Sequence, residues 1–163
     1  MPFTPLHWGP VLLIGFLLFP RLDLAALVVS SVVIDVEPFA VLFFGLRYPL
    51  HGFLHTYLGA TVVGVVVAAG LWFFRRRVAG VVSLFGITQE SSLGRFLATS
   101  LFAVYTHVLL DSFLYSEMDP LYPLMGNPFV YVVALDIVYA LCLVSFVPAL
   151  ALYGFRVYQQ RTR

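Results

Sequence analysis

The sequence predicts an all-α, polytopic membrane protein folded as one domain over residues 1–163, with about five helical segments. Three observations carry this expectation. Apolar residues make up 61% of the chain and charged residues 10%, with a mean hydropathy of +0.98. A soluble domain is about half apolar and about a quarter charged. Three apolar stretches are long enough to cross a hydrocarbon core of roughly 30 Å, which takes about 20 helical residues. The basic residues, all nine of them arginine, alternate between the ends of these stretches in a way that sorts them to one side.

The first two segments are short. Gly9–Phe19 is apolar and is broken by Pro20-Arg21-Leu22-Asp23. Leu24–Ile34 is apolar and ends at Asp35-Val36-Glu37-Pro38. They read as a tight helical hairpin, with Asp23 capping the second helix and Pro38 ending it. The broken stretch Phe39–Leu50 reads as lying along the membrane surface. Phe53–Phe74 is a full-length span that stops at Arg75-Arg76-Arg77, and Val78–Ile87 reads as a second surface stretch. Phe96–Leu114 and Phe129–Phe155 are the remaining spans, the last with Asp136 as its one charged residue.

Arginine counting orients the chain. With the triple-arginine end in the cytoplasm, Arg21, Arg95, Arg156, Arg161 and Arg163 fall inside too, and only Arg47 falls outside. That places the C-terminus in the cytoplasm and the N-terminus outside a multi-pass cell-membrane protein. The N-terminus lacks the basic region and the small-residue site of a cleavable signal peptide. Net charge is +1 and no basic run exceeds three residues, so nucleic acid is not an expected partner. The single Cys142 excludes a disulfide framework or a cysteine-rich zinc module.

The same alternation puts His7, His51, His55 and His107 at the outer ends, together with Asp35, Glu37, Asp111, Glu117, Asp119 and Asp136. Ionisable groups at membrane depth are costly and usually face a cavity or one another. His51 and His55 are four apart, as are His107 and Asp111, so each pair is expected on one helix face. Two such pairs supply four N/O donors, a set that suits zinc or a related divalent metal. Asp35 and Glu37, two apart in extended geometry, point the same way. With His7 the inventory is large enough for two ions. Asp136 and Asp119 are candidate carboxylates behind the ligands, orienting them.

Four stretches together resemble a known family. They are Met1-Pro2-Phe3-Thr4-Pro5-Leu6-His7, Ile34-Asp35-Val36-Glu37-Pro38, His51-Gly52-Phe53-Leu54-His55-Thr56, and Thr106-His107-Val108-Leu109-Leu110-Asp111-Ser112 followed by Asp119-Pro120. Their order resembles that of the membrane-bound metal-dependent hydrolases, which are related to the LexA-binding inner-membrane-associated hydrolases and distantly similar to zinc-dependent phospholipase C. The chain departs from that pattern in two places. Its first carboxylate pair is Asp/Glu rather than Asp/Asp, and its paired histidines are four apart rather than five, without the arginine that follows the first.

The resemblance, covering about residues 1–125, implies a hydrolase. The expected activity is hydrolysis of a phosphoester, with a membrane lipid as the natural substrate, at the outer surface. The expected metal ligands are His7, Asp35, His51, His55, His107 and Asp111, holding one, two or more ions, zinc first. Asp35 or Glu37 would serve as general base, and Arg47 would bind the substrate phosphate. The competing expectations are a non-catalytic metal site that staples the helices, or a metal- or proton-coupled transporter. A transporter should carry polar residues through its midplane, and Leu58–Phe74 and Leu141–Phe155 hold no charged residue.

Overall fold

The computed structural model describes residues 5–162. Met1–Thr4, which open the family-like N-terminal stretch, and Arg163 lie outside the described residues. Among the described residues every regular element is a helix and there is no strand, with a long non-helical segment at residues 113–134. Seven α-helices follow in order: α1 (Trp8–Leu17), α2 (Leu24–Val33), α3 (Val36–Phe44), α4 (Tyr57–Phe73), α5 (Arg75–Leu84), α6 (Leu93–Ser112) and α7 (Leu135–Arg161). Short 3-10 turns at Pro5–His7 and Phe53–His55 lead into α1 and towards α4.

Local chemistry fixes the helix starts. Asp23 caps α2 by accepting from the Ala26 N–H at 2.8 Å, Thr56 caps α4 through Gly59, and Ser92 caps α6 through Arg95. Pro38 does not end a helix. It is the third residue of α3, where its missing N–H costs nothing because the first-turn donors have no partner within the helix. The chain therefore re-enters a helix at once after Asp35, and Leu24–Phe44 forms a 21-residue apolar helical stretch instead of a short helix followed by a surface segment. Gly45, at φ +61°, ends it in the left-handed conformation that glycine adopts without strain.

Three helical stretches are long and apolar enough to cross a membrane: Leu24–Phe44, Leu93–Ser112 and Leu135–Arg161. A fourth counts if α4 and α5, which meet at 85°, are taken as one broken span. Shorter α1 is apolar but has ten residues. Arg75–Arg77 are the first turn of α5 rather than a loop.

Contacts set the directions of the helices. Gly9 of α1 sits against the Cys142 carbonyl of α7, and Arg156 of α7 reaches the Phe16 carbonyl of α1, so these two run parallel. Gly64 of α4 meets Leu101 and Val104 of α6, and Thr61 hydrogen-bonds Tyr105 at 2.7 Å. The Asp23 N–H donates to Thr99 of α6 at 3.1 Å, while His107 of α6 reaches the Ser31 carbonyl of α2, so α2 and α6 run parallel as well. That register brings Asp35 level with Asp111 in the last turn of α6. Helix α3 then projects beyond α6 with Phe39, Leu42, Phe43 and Phe44 exposed.

The result is two chemically distinct ends. All four histidines and six of the eight carboxylates gather at the end where α1, α4 and α7 begin. Arg21, Arg75, Arg76, Arg77, Arg95, Arg156 and Arg161 lie towards the other. Four small apolar clusters fill the space between, among them Ile34, Ala60, Val104, Val108 and Met118 directly beneath the histidines.

Candidate metal centre

Four buried side chains from three parts of the chain meet at the histidine end: Asp35, His55, His107 and Asp111. One donor atom from each lies within 4.8 Å of all the others. His107 and Asp111 stand one turn apart on the buried face of α6, with Nε2 3.1 Å from Oδ2. Asp35, in the tight junction between α2 and α3, places Oδ1 3.4 Å from His107 Nε2 and 3.8 Å from His55 Nε2. His55 Nε2 is 3.7 Å from Asp111 Oδ2.

The far side of each ring is anchored. His55 Nδ1–H donates to Glu37 Oε2 at 2.8 Å, and His107 Nδ1–H donates to the Ser31 carbonyl at 2.7 Å. A proton held on Nδ1 leaves the Nε2 lone pair facing the other donors, the arrangement in which an outer partner fixes a ligand's tautomer. Neither Nε2 has a hydrogen-bond partner among the described residues, and neither does Asp35 Oδ2. Buried polar atoms are nearly always satisfied. Three orphaned atoms around one small space, all of types that ligate zinc, fit a bound metal ion. This quartet could hold one.

His7 stands beside the quartet. Its Nε2 is 3.2 Å from Asp111 Oδ1 and its ring centroid is 4.3 Å from that of His107. Asp111 thus faces the quartet with one oxygen and His7 with the other. His51 is close but is not one of the four. Its Nδ1 is 2.9 Å from Glu117 Oε1, its ring stacks on Tyr115 at 3.9 Å, and its edge meets the His55 ring at 4.9 Å. His51 and His55 do not share a helix face. The segment between them is a turn that tightens into 3-10 geometry, because Thr56, not His51, starts α4. Burial pushes the His51 pKa below its ordinary value, although Asp111 and the hydrogen bond to Glu117 pull the other way. At His55, burial also disfavours the charged ring, but the contacts to Asp35 and Glu37 outweigh it and raise the pKa.

Glu37 and Asp35 are not in extended geometry; one sits in the junction and the other in the first turn of α3. Both Glu37 oxygens are engaged, Oε2 by His55 and Oε1 by the Leu54 N–H at 3.0 Å. Glu37 therefore pins the turn that carries His55. Arg47 is exposed in the loop after α3 and makes no hydrogen bond or ion pair among the described residues. Asp119 accepts from the Gly126 N–H at 2.5 Å and holds its own loop. Asp136 is exposed in the first turn of α7, where it complements the helix dipole, and does not meet a histidine.

Two contributors had no sequence signal: the Ser31 carbonyl is backbone, and Tyr115 reads as one aromatic among many. The alternation of arginines put Glu117 at this end, but in a loop without periodicity its pairing with His51 was not legible. No protein-family model matches the chain, and no curated protein or solved structure matches it either.

Proposed function

We propose that this chain is a membrane-bound, metal-dependent hydrolase that cleaves a phosphoester of a membrane lipid at the non-cytoplasmic surface, with zinc as the first candidate metal. The observation that carries the reading is the buried quartet with its orphaned Nε2 and Oδ2 atoms. A divalent ion in such a site supplies Lewis acidity, activating water near neutral pH and polarising a phosphoryl oxygen. His55, His107, Asp111 and Asp35 are the proposed ligands, and His7 on the second Asp111 oxygen extends the set towards another ion. Asp35 Oδ2, the carboxylate oxygen without a partner, is the proposed proton acceptor. Glu37 is assigned to positioning His55.

Two cavities flank the quartet and favour an amphiphilic substrate. One, of about 370 Å³, is lined by Val32, Val33, Asp35, Val36 and Phe39, so its wall is apolar except for Asp35. The other, of about 270 Å³, includes Tyr48, His51, Glu117, Asp119 and Tyr122. An acyl-bearing molecule fits the first, and a polar headgroup fits the second. Arg47, free in the adjoining loop, is the proposed phosphate partner. The arginine-rich opposite end supports a cytoplasmic C-terminus. A reporter fused to the C-terminus that reads as external would reverse the sidedness and leave the chemistry standing.

One observation favours a second reading. Four protein donors suffice to close a tetrahedral zinc site, which is the pattern of structural zinc. Purified protein, assayed with and without chelator on lipid phosphoesters in mixed micelles, separates the two. The hydrolase requires chelator-sensitive turnover that is lost with the metal in Asp111→Ala. Metal that raises the melting temperature while no lipid phosphoester is turned over would establish the structural role instead.

A further inference from the structure

At the opposite end of the bundle, Arg75, Arg76 and Arg77 form the first turn of α5 where it leaves α4 at 85°. None of them makes an ion pair, since every ion pair among the described residues involves a histidine. Arg75 folds over the Trp72 ring at 4.3 Å and donates to the Trp72 carbonyl at 3.2 Å, and Arg77 lies over Phe74 at 5.7 Å. Arg76 has no hydrogen bond, ion pair or ring contact among the described residues. Three adjacent cations repel one another, and they stand at the positive end of a helix whose N-cap, Phe74, offers no side-chain acceptor.

A cavity of about 320 Å³ opens between this bend and the segment before α6, lined by Trp72, Arg75, Arg76, Gln89, Glu90 and Ser91, with Asp23 at its back. Asp23 is already engaged, capping α2 and accepting from Ser91. Glu90 is exposed at the rim. Phe73 and Phe74 directly precede the arginines, and Leu84 and Phe85 stand at the far end of α5; all four are exposed large apolar side chains. A site for a soluble anion gains nothing from such surroundings, whereas a headgroup site at the end of membrane-length helices does.

We propose that this cavity binds the phosphate of an anionic phospholipid. Arg75 and Arg76 take the phosphate oxygens, Trp72 sits at headgroup depth, and the acyl chains lie against Phe73 and the apolar side of α5. The site is separated from the metal quartet by most of the length of α6 and does not depend on the hydrolase reading.

The chain has two tryptophans, Trp8 and Trp72, so Trp8→Phe leaves Trp72 as a local reporter. This protein, in neutral-detergent micelles, is titrated with phosphatidylglycerol or phosphatidylcholine carrying brominated acyl chains, which quench a nearby indole. Phosphatidylglycerol should quench Trp72 at markedly lower mole fraction than phosphatidylcholine, with chelator making no difference. Each arginine is expected to contribute about fivefold to that preference. Arg76→Gln, which removes a side chain with no contacts to lose, should reduce it about fivefold, and Arg75→Gln with Arg76→Gln should abolish it. Equal quenching by the two lipids, or an unchanged preference in Arg76→Gln, would overturn the proposal. So would relief of quenching by submillimolar inorganic phosphate, which would mark a site for a soluble anion.

Discussion

Glu37→Gln tests the architecture of the metal centre without touching a ligand. Glu37 accepts two hydrogen bonds, from the Leu54 N–H at 3.0 Å and from His55 Nδ1–H at 2.8 Å. Glutamine has one acceptor oxygen and one amide donor in the same volume. If its oxygen serves Leu54, its NH2 meets His55 Nδ1, which must then give up its proton. The proton moves to Nε2 and blocks the lone pair that faces Asp35 and Asp111. If its oxygen serves His55, the NH2 opposes the Leu54 N–H and the turn carrying His55 shifts. Either orientation costs the centre. Loss of an outer partner to a ligating histidine typically lowers metal affinity about 10- to 100-fold, or about 1.4–2.8 kcal/mol. Zinc affinity, measured by competition against a chromophoric chelator on detergent-purified protein, should fall within that range. Size-exclusion behaviour should be unchanged. Wild-type affinity in Glu37→Gln would refute the reasoning, because His55 would then not be oriented by Glu37.

Three further outcomes are expected. His55 keeps its proton above the ordinary histidine value in the metal-free protein. Protons therefore compete with metal there beyond pH 6.5, and zinc affinity should keep rising with pH above that point, by about tenfold per unit for each proton displaced; a flat profile from pH 6.5 to 8 in isothermal titration would contradict it. A Cβ at Gly59 would lie 2.0 Å from the Phe53 carbonyl, inside the turn that holds His55, whereas one at Gly70 meets nothing within 4 Å. Gly59→Ala should therefore lower the melting temperature, at a cost of about 1–3 kcal/mol, and weaken zinc binding, while Gly70→Ala does neither. Arg47→Ala should raise KM for an anionic lipid substrate more than it lowers kcat, as read from initial rates; a fall in kcat alone would remove Arg47 from substrate binding.

The composition made the helical, membrane-length character of the chain legible, and the 3.6-residue period made the His107–Asp111 face legible, because both lie inside one regular helix. The rest of the centre was harder to place. His7, Asp35 and His55 all sit just outside regular helices, where backbone turns rather than helical period set side-chain direction. The spacing His51–His55 imitated a helical pair, but the cap at Thr56 starts α4 after both, and only His55 joins the quartet. Asp35 and Glu37 read as a strand-like alternation because Pro38 looks like a stop signal. Proline at the third position of a helix is equally a start signal, and the junction is a turn between two helices. Sequence pattern cannot distinguish these roles without knowing where the next N–H finds its acceptor.

Charge gives this end of the bundle a reason to accept a cation from outside the chain. Asp35, Glu37 and Asp111 are all buried there, and their ionic contacts run to histidines alone. Burying carboxylates is costly unless each finds an opposite charge or several donors. The natural protein partner is arginine, yet every arginine but Arg47 lies at the other end, within the described residues, or at Arg163 beyond them. A packed polar core without a ligand would turn its imidazole N–H groups towards Asp35 and Asp111 as well. Here the two central rings instead spend their Nδ1–H groups on Glu37 and on the Ser31 carbonyl and bring Nε2 to Asp35 and Asp111. With Nε2 unprotonated, lone pairs face negative oxygens across a few ångströms, a repulsive arrangement that a divalent cation converts into coordination. Protonating both rings would also relieve it, and a bound ion would displace those protons. A divalent ion would resolve the same conflict through coordination, which gives the quartet a physical rationale whether such an ion would go on to cleave a phosphoester or only to hold the helices.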